Sequence, residues 1–170
     1  QAAANGSFEW TEHPGGSAAM AQKLLEGGLD VALLLTEAAT LFAHKGDVTI
    51  IGSFVDTPLT WGVHALAGSE PSLDSTYAVS RMGSGSHLMA LVAARQRKAP
   101  DPEFAVVGDL QGARKALENK DADLFMWEKF TTKPLVDSGE WIRVAEVPTP
   151  WPCYAAVSYT HLTLPTNCVV

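Results

Sequence analysis

The sequence predicts an α/β fold with mostly parallel sheets, and three observations carry that expectation. Segments of strand character alternate with helical segments along nearly the whole chain. Residues 30–35 (Asp-Val-Ala-Leu-Leu-Leu) form a short, nearly continuous apolar run, the pattern of a strand buried on both faces. The two halves also echo each other. Each has a helix, an Asp-bearing turn and an apolar strand, ending in Thr36-Glu37 in one half and Trp127-Glu128 in the other.

The elements follow in order. Residues 7–12 read as a strand. His13-Pro14-Gly15-Gly16 makes a turn, and Ser17 is placed to cap a helix running to about residue 26. After the 30–35 strand, Thr36 caps a helix to about residue 44, closed by Gly46. Residues 47–55 form a strand, 58–65 an extended aromatic stretch and 68–74 a loop. The pattern then restarts with a strand at 77–81. Gly83-Ser84-Gly85-Ser86 leads into a helix with Leu88, Leu91 and Val92 at helical spacing, ending before Pro100. Strands at 104–108, 122–127 and 142–147 alternate with helices at 110–119 and 130–137. Residues 158–170 contain no Asp, Glu, Lys or Arg and no helical pattern. They read like translated sequencing-adapter sequence and are set aside as a non-native tail, with a genuine edge strand as the alternative.

Composition narrows the function. With 46% apolar and 18% charged residues the chain can bury a core, so disorder is not expected. Twelve Lys+Arg against 19 Asp+Glu give a net charge of −7 without a basic run, which excludes a nucleic-acid partner. A small anion stays open, because backbone N–H groups bind one whatever the net charge. No apolar stretch reaches the ~18 residues of a membrane span, so no direct membrane insertion is expected. Cys153 and Cys168 lack zinc spacing, and a disulfide between them stays open. The histidines are scattered, so neither a metal nor another cofactor is expected. Asn5-Gly6-Ser7 matches a glycosylation sequon but reads better as an Asn-Gly turn.

Candidate ligand contacts sit where strands end. In open α/β sheets ligands bind beyond the C-terminal strand ends, and two such edges facing each other make a cleft. Ser80 and Arg81 lead into Gly83, Ser84, Gly85, Ser86 and His87 at a helix start, where free N–H groups attract an anion or polar oxygen. A dinucleotide fingerprint fails because Leu88 occupies its last glycine position, and a nucleophile elbow fails because Gly85 stands where its serine would be. Gly15, Gly16 and Ser17 form a second helix start. Thr57, Thr60 and Trp61 offer hydroxyls and a stacking face, with burial of Trp61 as the alternative. Thr36 and Glu37 lie at one strand end, and Trp127, Glu128 and Thr131 at another. Pairing Glu37 with Glu128 as acid and base fits less well than a carboxylate complementing a helix dipole. No catalytic residue is expected.

Five segments carry a family resemblance: Glu12-His13-Pro14-Gly15-Gly16-Ser17; Leu29-Asp30-Val31-Ala32 through Thr36-Glu37; Val55-Asp56-Thr57-Pro58-Leu59-Thr60-Trp61; Val79-Ser80-Arg81-Met82-Gly83-Ser84-Gly85-Ser86-His87-Leu88-Met89-Ala90; and Phe125-Met126-Trp127-Glu128-Lys129-Phe130-Thr131-Thr132-Lys133-Pro134. With them the chain resembles the type 2 periplasmic-binding-protein family, in the branch of nitrate/sulfonate/taurine ABC-transporter substrate-binding proteins. The resemblance covers most of residues 8–157. It implies a two-lobed fold with mixed, mostly parallel sheets. The first lobe would comprise 1–64 and 150–157, truncated at both ends, and the second 65–149 with the crossovers. An inner strand of the first lobe would precede Gln1, leaving that lobe the less stable half. The implied role is a solute-binding protein, not an enzyme, that holds a small anionic or sulfonate-like ligand in an inter-lobe cleft. An ABC permease would be the partner, and the location periplasmic or lipid-anchored and extracytoplasmic. Two alternatives remain. One is the related thiamin-pyrimidine synthase branch, which calls for a cysteine-rich segment that this chain lacks. The other is a sensory ligand-binding module.

Overall fold

The computed structural model describes residues 9–13 and 15–159. The chain divides into two compact units, Gln1–Asp56 with Cys153–Val170 and Thr57–Pro152. The extended stretch that begins after Asp56 therefore belongs wholly to the second unit.

The first unit contains α1 (Gly16–Leu25), β1 (Val31–Leu35), α2 (Thr36–His44) and β2 (Val48–Val55). The second unit contains β3 (Thr60–Leu66), β4 (Tyr77–Val79), α3 (Gly85–Gln96), β5 (Phe104–Val106), α4 (Leu110–Asn119), β6 (Leu124–Glu128), α5 (Lys133–Asp137) and β7 (Trp141–Pro148). The chain then returns to the first unit as β8 (Tyr154–Tyr159).

The first unit's sheet has the order β1-β8-β2, and both pairings are antiparallel. Its apolar run, expected to be a parallel strand, instead pairs antiparallel with β8, from Val31 opposite Ser158 to Leu35 opposite Tyr154. The sequence of β8, Tyr-Ala-Ala-Val-Ser-Tyr, alternates only weakly and gives no strand signal. It is nonetheless the middle strand. It runs through Ser158 and Tyr159, two residues into the segment set aside as a tail. Ser158 is fully buried and its hydroxyl donates to the Asp30 carbonyl at 2.7 Å. The rest of that segment, the Asn5-Gly6-Ser7 site and Cys168 lie outside the described residues. Residues 9–12 form no strand, contrary to expectation, because no described strand pairs with them; residues 7 and 8 are outside the described range. Ala21, Leu24, Ala32, Leu34, Ala39, Val48, Ala155 and Val157 form the core of this unit.

The second unit's sheet has the order β5-β4-β6-β3-β7. β4 pairs parallel with β5 and β6, while β3 pairs antiparallel with β6 and β7. The α/β class holds, but parallel pairing is the minor part. The reason is β3, which runs against β6 and β7 and lies between them. Both faces of this sheet are covered. Side chains alternate along each strand. Trp61, Val63, Ala65, Tyr77, Val79, Leu124 and Met126 pack with Met89, Ala90 and Ala93 of α3 on one face. On the other, Ala78, Phe125 and Trp141 pack with Ala113, Ala116 and Leu117 of α4. Asp109 caps α4 by accepting the Gly112 N–H at 2.8 Å, and Lys120 ends it in the left-handed region at φ 63°. A Cβ at Gly112 would stand 1.9 Å from the Val107 carbonyl oxygen, so only glycine fits there. The last helix starts at Lys133, not at residue 130 as expected. The Glu128 carboxylate takes the Phe130 and Thr131 N–H groups, the latter at 3.1 Å, and holds that segment as a turn. No helix among the described residues is long and apolar enough to cross a membrane.

Candidate functional site

The C-terminal edge of the second unit's parallel strands carries the most developed polar loop. After β4 the chain passes exposed Arg81, Met82 and Gly83 and enters α3. Gly83 takes φ 79°, a conformation that a side chain would strain. Ser84 is the N-cap, and its hydroxyl accepts the His87 N–H at 3.4 Å. Ser80, Ser84 and Ser86 are buried together. Ser86 Oγ accepts the Ser80 N–H at 3.0 Å and lies 2.9 Å from Ser84 Oγ. These hydroxyls brace the loop from within. The first-turn N–H groups of Gly85 and Ser86 have no carbonyl behind them in the helix and stay available as donors. His87 Nδ1 accepts the Gly83 N–H at 3.1 Å, and its ring meets Phe104 edge-on at 4.6 Å. A neutral His87 therefore carries its proton on Nε2, as a donor.

Other expected contacts in this unit are placed differently. Trp61 is buried at 5% exposure, so its stacking face is not offered to solvent. Its Nε1 has no hydrogen-bond partner among the described residues. Thr57 is exposed and Thr60 half-buried. Trp127 stacks on Phe125 at 5.3 Å, on the sheet face away from α3. Glu128 and Thr131 are joined, with the Thr131 hydroxyl donating to the carboxylate at 2.7 Å. Sequence patterns did not mark an apolar rim on the same edge. Met82, Val106 and Phe130 are 57%, 59% and 67% exposed, and each stands at or just beyond the end of β4, β5 or β6. Only the strand ends bring these three together.

A second polar group in this unit also escaped the sequence reading. His64 is fully buried between Phe125 and Thr132. Its Nε2 lies 2.9 Å from the Thr132 hydroxyl and accepts Arg143 Nε at 3.5 Å, which leaves Nδ1 to donate to the Phe125 carbonyl at 3.4 Å. Burial pushes its pKa down to about 4, so the ring is neutral near pH 7. Gly62 is required beside it, since a Cβ there would sit 2.4 Å from the His64 ring. Arg143 and Lys129 both pair with Glu146, at 3.0 and 3.1 Å, and Lys129 foremost holds that carboxyl below its usual range.

In the first unit, Gly15 and Gly16 are exposed at the start of α1, and Gly15, not Ser17, is the N-cap. Ser17 instead accepts the Leu35 N–H at 3.2 Å, which ties α1 to the end of β1. Thr36 does not cap α2 either; it is the first helical residue, with Leu35 as N-cap. Thr36 Oγ1 and His13 Nε2 are buried without partners among the described residues, and Glu37 is half-buried in the first turn of α2.

Comparison with known proteins gives these features a family. A family model described as Ca3427-like PBP (periplasmic binding protein) matches residues 63–147, half of the chain. A solved structure is described as the conserved Candida albicans CA3427 gene product, defining a new family with the generic periplasmic binding protein fold. It superposes with a TM-score of 0.79 at 30% identity, over 90% of this chain and 54% of that one. The alkanesulfonate-binding protein SsuA of Xanthomonas axonopodis pv. citri, bound to MOPS, superposes at 0.69 with 17% identity, over 89% of this chain and 54% of that one. That likeness shows the fold alone. A stretch of the highly reducing polyketide synthase PKS2 of Leptosphaeria maculans is 28% identical over 144 residues, 71% of this chain and 6% of that protein. The chain thus spans about half the length of the solved relatives it matches. The periplasmic-binding-protein resemblance read from the sequence is upheld in its broad form, and the chain belongs to the Ca3427-like family of periplasmic binding proteins.

Proposed function

We propose that the chain binds a small, oxygen-rich solute, anionic or sulfonate-like, at the start of α3, and does so without turnover. The observation that carries this reading is the braced Ser80–Ser84–Ser86 loop. It holds the first-turn N–H groups of α3 in place at the end of β4, the middle one of the three parallel strands. Fixed donors at the positive end of a helix bind an anionic oxygen without reorganising. The apolar Met82, Val106 and Phe130 around them suit a solute with a hydrophobic portion beside its polar head. The solved alkanesulfonate-binding relative supports this chemistry by its fold. In its fuller form the reading has the loaded protein passing its solute to an ABC permease from the extracytoplasmic side. Permease and ATPase genes beside this one would support that setting, and a neighbouring kinase or regulator gene would favour a sensory module. No constellation at the loop favours the enzymatic alternative, since Ser84 and Ser86 spend their hydroxyls on each other and on the backbone.

A thermal-shift screen of the 170-residue chain tests the binding reading. The panel holds nitrate, sulfate, methanesulfonate, taurine and MOPS. A ligand that prefers the native state raises its melting temperature by mass action. A rise with one of these compounds that disappears in Gly85→Val supports the site. An equal rise in both proteins removes the α3 loop from the proposal.

A further inference from the structure

Trp61 carries a polar atom that the fold buries and leaves unused. Its indole N–H has no acceptor among the described residues, although the side chain is only 5% exposed. Buried donors are nearly always paired, and an unpaired one destabilises by about 1–3 kcal/mol. Such an atom calls for a reason.

Its place in the sheet supplies one. Val63 stands opposite Met126, and Trp61 opposite Glu128, in the β3–β6 ladder. Trp61 and Val63 share the sheet face on which Val79 and Met126 pack against α3. Trp61 is thus one side-chain row beyond that core, toward the edge where β4 stops and α3 begins. Two independent features lie toward that edge and on that face. One is the first turn of α3 with its unbonded N–H groups; the other is the unbonded indole N–H. Both are donors, so both are completed by the same chemistry, an oxygen acceptor.

We propose that Trp61 is a specificity-determining ligand contact, whose indole N–H donates to an oxygen of the oxyanion held at the start of α3. The inference rests on the proposed solute-binding role and adds to it. It makes Trp61 a hydrogen-bond donor and not a stacking surface. It also explains a buried, unsatisfied N–H as a group kept vacant for a ligand. The site then discriminates by acceptor: a solute whose head presents only donors, such as a primary ammonium, leaves the indole unpaired and is rejected.

The test compares the 170-residue chain with Trp61→Phe, which keeps an aromatic ring and removes the N–H. Binding of MOPS, methanesulfonate and nitrate is measured by calorimetry. The indole N–H resonances are followed by NMR, the Trp61 signal being the one that Trp61→Phe lacks. The expected result has three parts. The ligand-free variant melts no lower than the parent. Its affinity for the probe that binds the parent falls roughly tenfold to a hundredfold. The parent's Trp61 indole resonance shifts downfield when the probe is added. A probe that binds parent and variant equally and leaves that resonance unmoved overturns the role of Trp61 while the α3 site stands. Binding of none of the probes to the parent overturns both. Should Trp61→Phe fail to fold, the parent's Trp61 indole resonance is assigned through its correlations to the Trp61 backbone amide and alone decides: a shift upholds the contact, and its absence in the presence of a bound probe refutes it.

Discussion

The two units solve the same problem, burying a sheet, in unequal ways. In the second unit a five-stranded sheet is covered on both faces, by α3 on one and α4 on the other, and the largest fully buried side chains, Trp141, Tyr77 and Phe125, lie there. In the first unit a three-stranded sheet packs a smaller, alanine-rich core, and β2 is largely exposed along its length. Ile50, Ile51 and Phe54 of β2 are 42%, 49% and 56% exposed. Stability follows apolar burial, so the second unit is the firmer scaffold and the first opens more readily. The difference explains why the developed candidate site, with its chain of buried serines, is found in the second unit. Fixed donors need rigid support.

The largest test of this comparison is core truncation. Trp141→Ala should cost the second unit about 3–5 kcal/mol, and Leu34→Ala the first about 2–5 kcal/mol. Urea denaturation measures both, and hydrogen exchange locates them. Leu34→Ala should release the amides of β1, β8 and β2 while those of β3, β4 and β6 stay protected. Equal release everywhere would mean that the two units unfold as one.

Acid is the next lever. The native pKa of His64, about 4, lies below its ordinary value of 6.5. The unfolded chain therefore takes up the proton first. This contribution is unchanged above pH ~6.5, is lost as the pH falls from there, and levels off below about 4, by an amount of order 3 kcal/mol. Glu146 acts in the same direction when it is protonated, so the His64 share is the difference between the parent and His64→Gln in urea denaturation at pH 7.5, 5.5 and 4.5. If the two proteins lose stability in parallel, the buried histidine is not the cause.

A smaller effect sharpens the account of the helix ends. Asp109→Ala should cost about 1 kcal/mol by freeing the Gly112 N–H, with no effect on probe binding at α3. Ser84→Ala should cost a similar amount and also weaken probe binding, because it loosens the loop that holds the donors. Smallest is Lys133→Ala. It removes an ion pair exposed on both sides and should change stability by less than about 0.5 kcal/mol.

Much of the second unit was legible in the sequence. The helix expected at 110–119 has those same bounds in the structure, where Asp109 caps it. The Gly-Ser-Gly-Ser turn likewise stands at a helix start, as the helical spacing of Leu88, Leu91 and Val92 after it predicts. The first unit was less legible. Its apolar run fitted a buried parallel strand, but the pairing partner, β8, lies more than a hundred residues away, and its weakly alternating sequence gave no strand signal. The expected contacts split in the same way. Backbone donors at α3 follow from local sequence, whereas Trp127 turned to the other face of the sheet and Ser17 to the Leu35 N–H.

The sequence by itself determined the alternation of strands and helices, the broad periplasmic-binding-protein resemblance, the glycines that tolerate positive φ and the position of the α3 loop, because each rests on runs of residues close together in the chain. Tertiary structure alone decided the antiparallel insertion of β3 between β6 and β7, the middle position of β8, the His64–Thr132–Arg143 contact and the burial of the Trp61 indole. Each of these depends on which distant strand lies alongside. A strand's sequence fixes which side chains share a face, but not its neighbour, its direction or the polar atoms it leaves unpaired.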